Sequence, residues 1–263
     1  MGPAPAPLLS VNGVGHVFEG EDGAAAVEAL RDVEFDVAGG EFVAIVGPSG
    51  CGKSTLCELA AGLARPTRGA LSFRAESIRG PHPAVGIVFQ EDSTLPWFTV
   101  LENVAFGLRA RGLPRAERET RAAGMVELVG LSGFERHYPR QLSGGMRQRV
   151  AIARTLVLEP ELILMDEPFG ALDAQTRLLM GEELLRIWER VGATILFVTH
   201  DIEEAVRLAD RVVVMSARPG RVKRVVAVPL RRPRHDGDPA TRAEADRLAD
   251  AIWRDLRGEV TLR

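Results

Sequence analysis

One stretch constrains the chain more than any other. An apolar, β-rich run, Phe42-Val43-Ala44-Ile45-Val46, breaks into Gly47-Pro48-Ser49-Gly50-Cys51-Gly52-Lys53-Ser54-Thr55 and resumes as Leu56-Cys57-Glu58-Leu59-Ala60. That order predicts a buried strand, a tight loop and a helix. Gly47 to Ser54 fits G-x-x-x-x-G-K-[ST], the phosphate-binding P-loop, in the strand–loop–helix setting the motif requires. Its glycines let the backbone wrap so that several N–H groups aim at one anion, and the helix N-terminus adds partial positive charge. In such a loop Lys53 reaches the β- and γ-phosphates and the Ser54 hydroxyl holds Mg²⁺. Lys53 and Lys223 are the only lysines among 33 Lys and Arg residues. A lysine at this place is therefore not background composition, and a crowded phosphate site suits a compact ammonium better than a planar guanidinium.

At 263 residues the chain is long enough for one large domain or a domain with a subdomain. With 46% hydrophobic and 26% charged residues and a net charge of −3, it has no global basic field to recommend nucleic acid as a partner. No uncharged apolar run approaches the length of a membrane span, and Met1-Gly2-Pro3-Ala4-Pro5-Ala6-Pro7 lacks the features of a signal peptide, so the expected location is the cytoplasm. Cys51 and Cys57 are the only cysteines. One lies in the P-loop and one in the helix behind it, so they are expected to fill space rather than form a disulfide. Cys51 is also expected to lie beside bound phosphate, where alkylation would block binding.

Leu8 to Phe18 and Ala25 to Val37 alternate as strands around the turn-like Glu19-Gly20-Glu21-Asp22-Gly23, predicting a small antiparallel sheet ahead of the P-loop. Gly39-Gly40 turns the chain into the P-loop strand. The following helix is expected through about Ala64. Pro66-Thr67-Arg68-Gly69 then turns into Ala70-Leu71-Ser72-Phe73, and Ala84 to Phe89 reads as another buried strand. From Leu101 to Val129 the periodicity is helical with a break at Pro114, an inserted helical subdomain. A helix from about Gly145 to Leu158 precedes the strand Leu162-Ile163-Leu164-Met165, and one from about Asp173 to Arg190 precedes Thr194-Ile195-Leu196-Phe197-Val198. Gly181 lies within the latter. Strands alternating with helices and ending in polar residues describe an α/β fold with a largely parallel sheet and ligand groups at its carboxyl edge. Pro229 to Asp238 is rich in Pro, Arg and Asp, and Pro239 to Leu256 forms a last helix with Leu248, Ile252 and Leu256 on one face.

Asp166 ends an apolar strand, as a carboxylate that holds Mg²⁺ would. Glu167 follows it. Adjacent residues of a strand point to opposite sides, so one acid serves the metal while the other faces the attacking water as general base. Leu142-Ser143-Gly144-Gly145-Met146-Arg147-Gln148-Arg149 opens a further helix on serine and glycines, a second anion-binding helix N-terminus in the same chain. This segment resembles the signature of the ATP-binding cassette ATPases of ABC transporters, and the resemblance runs from about Leu8 to Arg224. It implies a P-loop NTPase fold with an N-terminal antiparallel β subdomain and an inserted α-helical subdomain. It also implies ATP and Mg²⁺ as ligands. Gln90 resembles the Q-loop glutamine that reaches the metal and the reacting phosphate, Ala171-Leu172-Asp173 the D-loop, and His200 the switch histidine. Phe18 is similar in position to the aromatic residue that stacks on adenine, although a lone aromatic at a strand end is as often core. The resemblance further implies a head-to-tail pair in which Ser143, Gly144 and Gly145 of one copy close on ATP held by the other copy's P-loop. His16, His82, His137 and His235 belong to no constellation.

Gln90 to Val104, Met165 to Arg177 and Ser216 to Val222 resemble the corresponding stretches of importers of the nitrate/sulfonate/taurine group. That resemblance implies a nucleotide-binding domain over 8–226, with its helical part at about 91–158, and an Arg/Pro-rich stretch with a closing helix over 227–263. It implies attachment to the cytoplasmic face of the membrane through a separate transmembrane permease, which imports a small anion delivered by an extracytoplasmic binding protein. An importer of a thiamine-precursor pyrimidine and a soluble ABC ATPase are the alternatives. Leu95-Pro96-Trp97-Phe98 is an apolar cluster expected to pack inside the helical insert, to line in part a groove for a helix of the permease, or to do both.

Overall fold

The computed structural model describes residues 6–20, 25–90, 93–232, 234 and 239–259. The start of the chain through Pro5, the turn residues Glu21 to Gly23, Glu91, Asp92 and His235 lie outside the described residues, as does most of the stretch from Pro233 to Asp238. In chain order the elements are β1 (Leu9–Phe18), β2 (Val27–Val37), β3 (Phe42–Val46), α1 (Lys53–Ala60), β4 (Arg68–Phe73), β5 (Glu76–Ser77) and β6 (Val85–Val88). There follow α2 (Val100–Ala110), α3 (Arg115–Leu128), α4 (Gly144–Leu156), β7 (Leu162–Asp166), α5 (Ala174–Val191) and β8 (Thr194–Val198). The chain then forms α6 (Ile202–Leu208), β9 (Arg211–Met215), β10 (Val222–Ala227) and α7 (Pro239–Arg257). These residues make two compact units, one from Met1–His82 with Thr194–Arg263 and one from Pro83–Ala193.

The first unit holds the predicted antiparallel sheet, in the order β2-β1-β4-β5. Leu9 pairs with Val37 on one side and with Phe73 on the other, so β4 joins this sheet rather than the P-loop strand. Its β4 starts at Arg68, inside the expected turn, and α1 stops at Ala60 rather than near Ala64. The same unit holds the run β10-β9-β3-β8. In it β3 lies parallel to both β8 and β9, with Ile45 opposite Val198 and Val213. Every residue of β3 and β8 is buried. That is the reason both read as continuous apolar runs instead of alternating ones, since a parallel strand is covered on both faces. Each fully buried Val, Ile or Phe contributes roughly 1.5–3 kcal/mol relative to exposure.

The second unit contains the helical insert. Here α2 begins at a capping box, with the Thr99 side chain accepting from Glu102 N–H and the Glu102 carboxylate accepting from Thr99 N–H. Pro114 stands immediately before α3. The parallel pair β6 and β7 matches Val85 to Leu162 and Val88 to Met165. The first three residues of β6 are only half-buried, a departure from the expected buried strand. Gly181 is buried on α5. Among the described residues no helix is long and apolar enough to cross a membrane.

Sequence periodicity missed the way the Arg/Pro-rich stretch holds the first unit together. Arg234 Nη1 donates to the carbonyls of Val206 (2.6 Å), Arg207 (3.0 Å) and Ala209 (2.8 Å), which the end of α6 leaves open. Arg232 adds bonds to Leu208 O and Asp210 Oδ1, both 2.6 Å. Burial, with the neighbouring charge of Arg232, pushes the Arg234 guanidinium down to about 10, against the pull of Asp210. On α7, Ile252 and Leu256 are buried on one face as expected, with Leu248 half-buried beside them. Arg234→Ala strands these carbonyls, and we expect equilibrium urea unfolding to show a loss of about 1.5–3 kcal/mol.

Candidate functional site

β3 ends at Val46 and the chain enters the loop it was predicted to enter. The loop encloses its own lysine. Lys53 is only 5% exposed, and its Nζ donates to Gly47 O (2.9 Å) and Pro48 O (3.1 Å). Gly52 has φ +97°, and a Cβ there would stand 2.6 Å from Leu30 Cδ2, so glycine is required for both conformation and space. Ser54 is exposed on the first turn of α1. Because β8 runs parallel to β3, its end brings His200 to the same edge, and Thr199 N–H donates to Ile45 O at 3.1 Å. His200 is exposed and, with Gly47, Pro48, Ser49 and Gly50, lines a cavity of about 760 Å³.

The chain on either side of His200 is fixed by bonds of Thr199 and Asp201. The Thr199 hydroxyl donates to the buried Glu204 carboxylate at 2.5 Å and accepts from Asp201 N–H at 3.0 Å. Asp201 in turn caps α6 by accepting from Glu204 N–H. The spacing Asp201 to Glu204 is a helix-start pattern that could have announced this turn.

Cys51 is 1% exposed, and Lys53 Nζ approaches its sulfur at 4.0 Å. The thiol therefore packs into the interior of the loop, which corrects the expectation of an alkylation-sensitive group. Both cysteines are buried, and no disulfide joins them. At the end of β1, Phe18 is substantially exposed and packs edge-on against His16, with centroids 4.7 Å apart, so it is not a core residue.

The second unit carries the other candidates. Ser143 caps α4, its hydroxyl accepting from Met146 N–H at 3.3 Å, and Ser143 and Gly144 are exposed. Gly145 is buried, and a Cβ there would meet Thr176 Cγ2 at 3.2 Å. Asp166 is the last residue of β7. Glu167 lies beyond the strand at φ +43°. Strand alternation therefore does not aim the two acids apart. Glu167 sits instead in a left-handed turn, which costs about 1–3 kcal/mol for a side-chain-bearing residue. The Glu167 carbonyl accepts from Gly170 N–H at 3.0 Å, closing that turn. Asp173 caps α5: one oxygen accepts from the N–H groups of Gln175 and Thr176, the other from the Thr176 hydroxyl at 2.6 Å. These bonds, the Thr176 hydroxyl foremost, hold its carboxyl below the usual range. Gln90 is exposed two residues past β6 and lines a cavity of about 750 Å³ with Gly144, Gln148 and Leu172. The Q-loop and signature candidates are thus brought together in one cleft.

Trp97 is 67% exposed and does not pack inside the insert. The buried Asn103 sets its loop, donating to the carbonyls of Leu95, Phe98 and Thr99 at 3.0–3.1 Å and accepting from Leu95 N–H at 2.8 Å. Phe98 meets Trp97 edge-on, with ring centroids 6.3 Å apart, and lies tilted against Phe106 at 5.9 Å, beside a groove lined by Leu101, Phe106, Arg109 and Arg118.

Two expectations follow. Ellman titration of the native chain should find neither thiol reactive within minutes and both reactive in denaturant. Glu167→Gly should be more stable than Glu167→Ala by about 1 kcal/mol, because glycine accepts the left-handed backbone; equal unfolding midpoints would contradict the strain.

A family model described as ABC transporter matches residues 30–170. The chain is 45% identical over 260 residues to the nitrate import ATP-binding protein NrtD of Synechocystis sp., covering 96% of each chain. It is 43% identical over 253 residues to the taurine import ATP-binding protein TauB of Yersinia pestis, covering 96% of this chain and 97% of that one. A dimeric ATP-binding cassette solved in a post-hydrolysis state with ADP and Pi is similar at a TM-score of 0.73 and 33% identity, over 84% of this chain and 98% of the other. With the P-loop, the signature segment and their strand and helix settings in place, the chain belongs to the ABC transporter family.

Proposed function

We propose that this chain is the ATP-hydrolysing subunit that energises import of a small anion, of the nitrate, aliphatic sulfonate or taurine class, through a separate membrane permease. The similarity to nitrate and taurine import subunits over almost the whole chain supports the substrate class. In this reading residues 8–226 form the cassette, with the helical part at about 91–158, and 227–263 form an appended tail. The subunit works at the cytoplasmic face of the membrane, bound to the permease. The exposed Trp97 and the groove beside it are the docking surface for a permease helix.

The observation that carries the reading is the presence of two glycine-opened helix N-termini in one chain. One of them, at α1, holds its lysine against loop carbonyls; the other, at α4, presents Ser143 and Gly144 to solvent. A chain with one nucleotide per site needs two such ends only if one covers the nucleotide of another copy. Residues Gly47 to Thr55 cradle the triphosphate, and Lys53 leaves its carbonyls for the β- and γ-phosphate oxygens. Ser54, Gln90 and Asp166 are the residues that would hold Mg²⁺, which would supply charge neutralisation at those phosphates. Glu167 takes the proton of the attacking water, and His200 contacts the γ-phosphate. Phe18 supports the adenine, Ser143, Gly144 and Gly145 of a second copy close the site, and Asp173 fixes the start of α5 beside them. Hydrolysis to ADP and phosphate reopens the pair.

Glu167→Gln should lower kcat by about 10²- to 10⁴-fold while retaining ATP binding and accumulating a dimer in gel filtration with ATP; undiminished hydrolysis would remove Glu167 from the role of base. Lys53→Ala should lose ATP binding. In permease complexes, Trp97→Ala should leave basal hydrolysis intact and abolish the stimulation by anion-loaded binding protein. Comparing nitrate with taurine in that assay distinguishes the substrates.

A further inference from the structure

The P-loop has a neighbour that no motif announced. Residues 216–221, which join β9 to β10, lie against it: a Cβ at Gly220 would stand 2.0 Å from the Cys51 carbonyl oxygen. From the same connection Arg218 Nε donates to Gly50 O at 3.3 Å. The connection is fixed at its base by Ser216 N–H to Arg221 O (2.9 Å) and Arg221 N–H to Ser216 Oγ (3.0 Å). Gly220 ties it to β2, donating to Ala29 O at 2.8 Å and accepting from Arg31 N–H at 2.9 Å.

Its remaining side is held by the end of α7. One Glu259 oxygen accepts from Ala217 N–H at 3.0 Å, and the other accepts from Lys223 Nζ at 2.7 Å. Lys223 also donates to Asp255 O at 2.8 Å, and Arg224 pairs with Asp255 at 3.3 Å. Lys223 and Ala217 N–H hold the Glu259 carboxyl below the usual range, so it is charged at neutral pH. Across the cavity already described, the wall facing Ser49, Gly50 and His200 is formed by Trp253, Leu256 and Glu259, with Trp253 52% exposed. Thus the two lysines of the chain serve the same neighbourhood, one inside the P-loop and one in the clasp behind it.

We propose that α7 is a wall of the nucleotide site and that the clasp of Glu259 on Lys223 and Ala217, acting through Arg218 on Gly50, sets how tightly the P-loop holds its nucleotide. Glu259, Lys223 and Arg218 are positioning residues in this scheme, and the scheme rests on the reading of the P-loop as the ATP site. A docked α7 keeps the 216–221 connection against the loop; an undocked one releases Arg218 and lets the loop relax. The tail thereby gains a means of tuning affinity without touching the reacting atoms.

The test is calorimetric titration of the full chain with AMP-PNP and Mg²⁺, together with hydrogen exchange of residues 47–52 and 216–221. Glu259→Ala, Lys223→Met and Arg218→Ala should each raise Kd about three- to tenfold, the worth of one or two net hydrogen bonds. Lys223→Arg and Arg218→Lys should restore most of the affinity. In Arg218→Ala, α7 should keep its protection while 47–52 exchanges faster. Wild-type affinity and loop protection in Lys223→Met and Arg218→Ala would overturn the proposal, even if Glu259→Ala fails to fold. If the wild type itself binds no AMP-PNP, the ATP reading falls and the proposal with it.

Discussion

An ammonium group wrapped by its own loop is the interaction on which the rest of this structure depends. Lys53 is nearly removed from water, and such a charge is tolerated only where oxygen atoms replace the lost hydration. The carbonyls of Gly47 and Pro48 do so, and by doing so they fix the curvature of the loop before any ligand arrives. That curvature needs a rigid base. The fully buried β3, flanked by β8 and β9, provides one, and the same parallel pairing delivers His200 to the loop's edge. Strand burial, loop shape and the position of a candidate phosphate sensor are thus one arrangement.

Much of this was legible in the residues. The strand–loop–helix order around Gly47, the break at Pro114 and the apolar strands at 162–165 and 194–198 all lie where motif and periodicity put them. The resemblance of Leu142 to Arg149 to the cassette signature supplied what motifs alone could not, namely the family. What escaped was decided by tertiary contact. Arg68 and Gly69 look like a turn, yet they extend β4 because Arg68 pairs with Gly15. Glu167 looks like the next residue of a strand, yet it turns left-handed. Asn103 belongs to no motif, yet its buried amide organises the 95–99 loop. Cys51 sits inside a phosphate motif, yet the folded loop turns its thiol inward. The elements α6, β9 and β10 are short, so their periodicity is weak, although Asp201 at the start of α6 and Pro219-Gly220 between β9 and β10 carry the capping and turn chemistry that marks them.

Arginine recurs in a role that composition conceals. Arg234 and Arg232 close the end of α6 by donating to its open carbonyls, and Arg147 and Arg177 donate to Leu142 O and Leu172 O ahead of their own helices. A planar fork with five donors satisfies several carbonyls at once, which an ammonium does less well. A tail that reads as charged and extended is in this way tied to the body that precedes it.

The first unit is discontinuous in sequence, and this has a consequence for the order in which the chain acquires structure. Gly40 and its partner Thr194 are 154 residues apart, and β3 has no parallel neighbour until β8 and β9 exist. The second unit is contiguous from Pro83 to Ala193, so its contacts close shorter loops. On a ribosome, the helical insert and its strand pair are therefore complete while the phosphate loop is still attached to an unpaired strand. The part of the molecule read first from the sequence is the part whose fold is finished last.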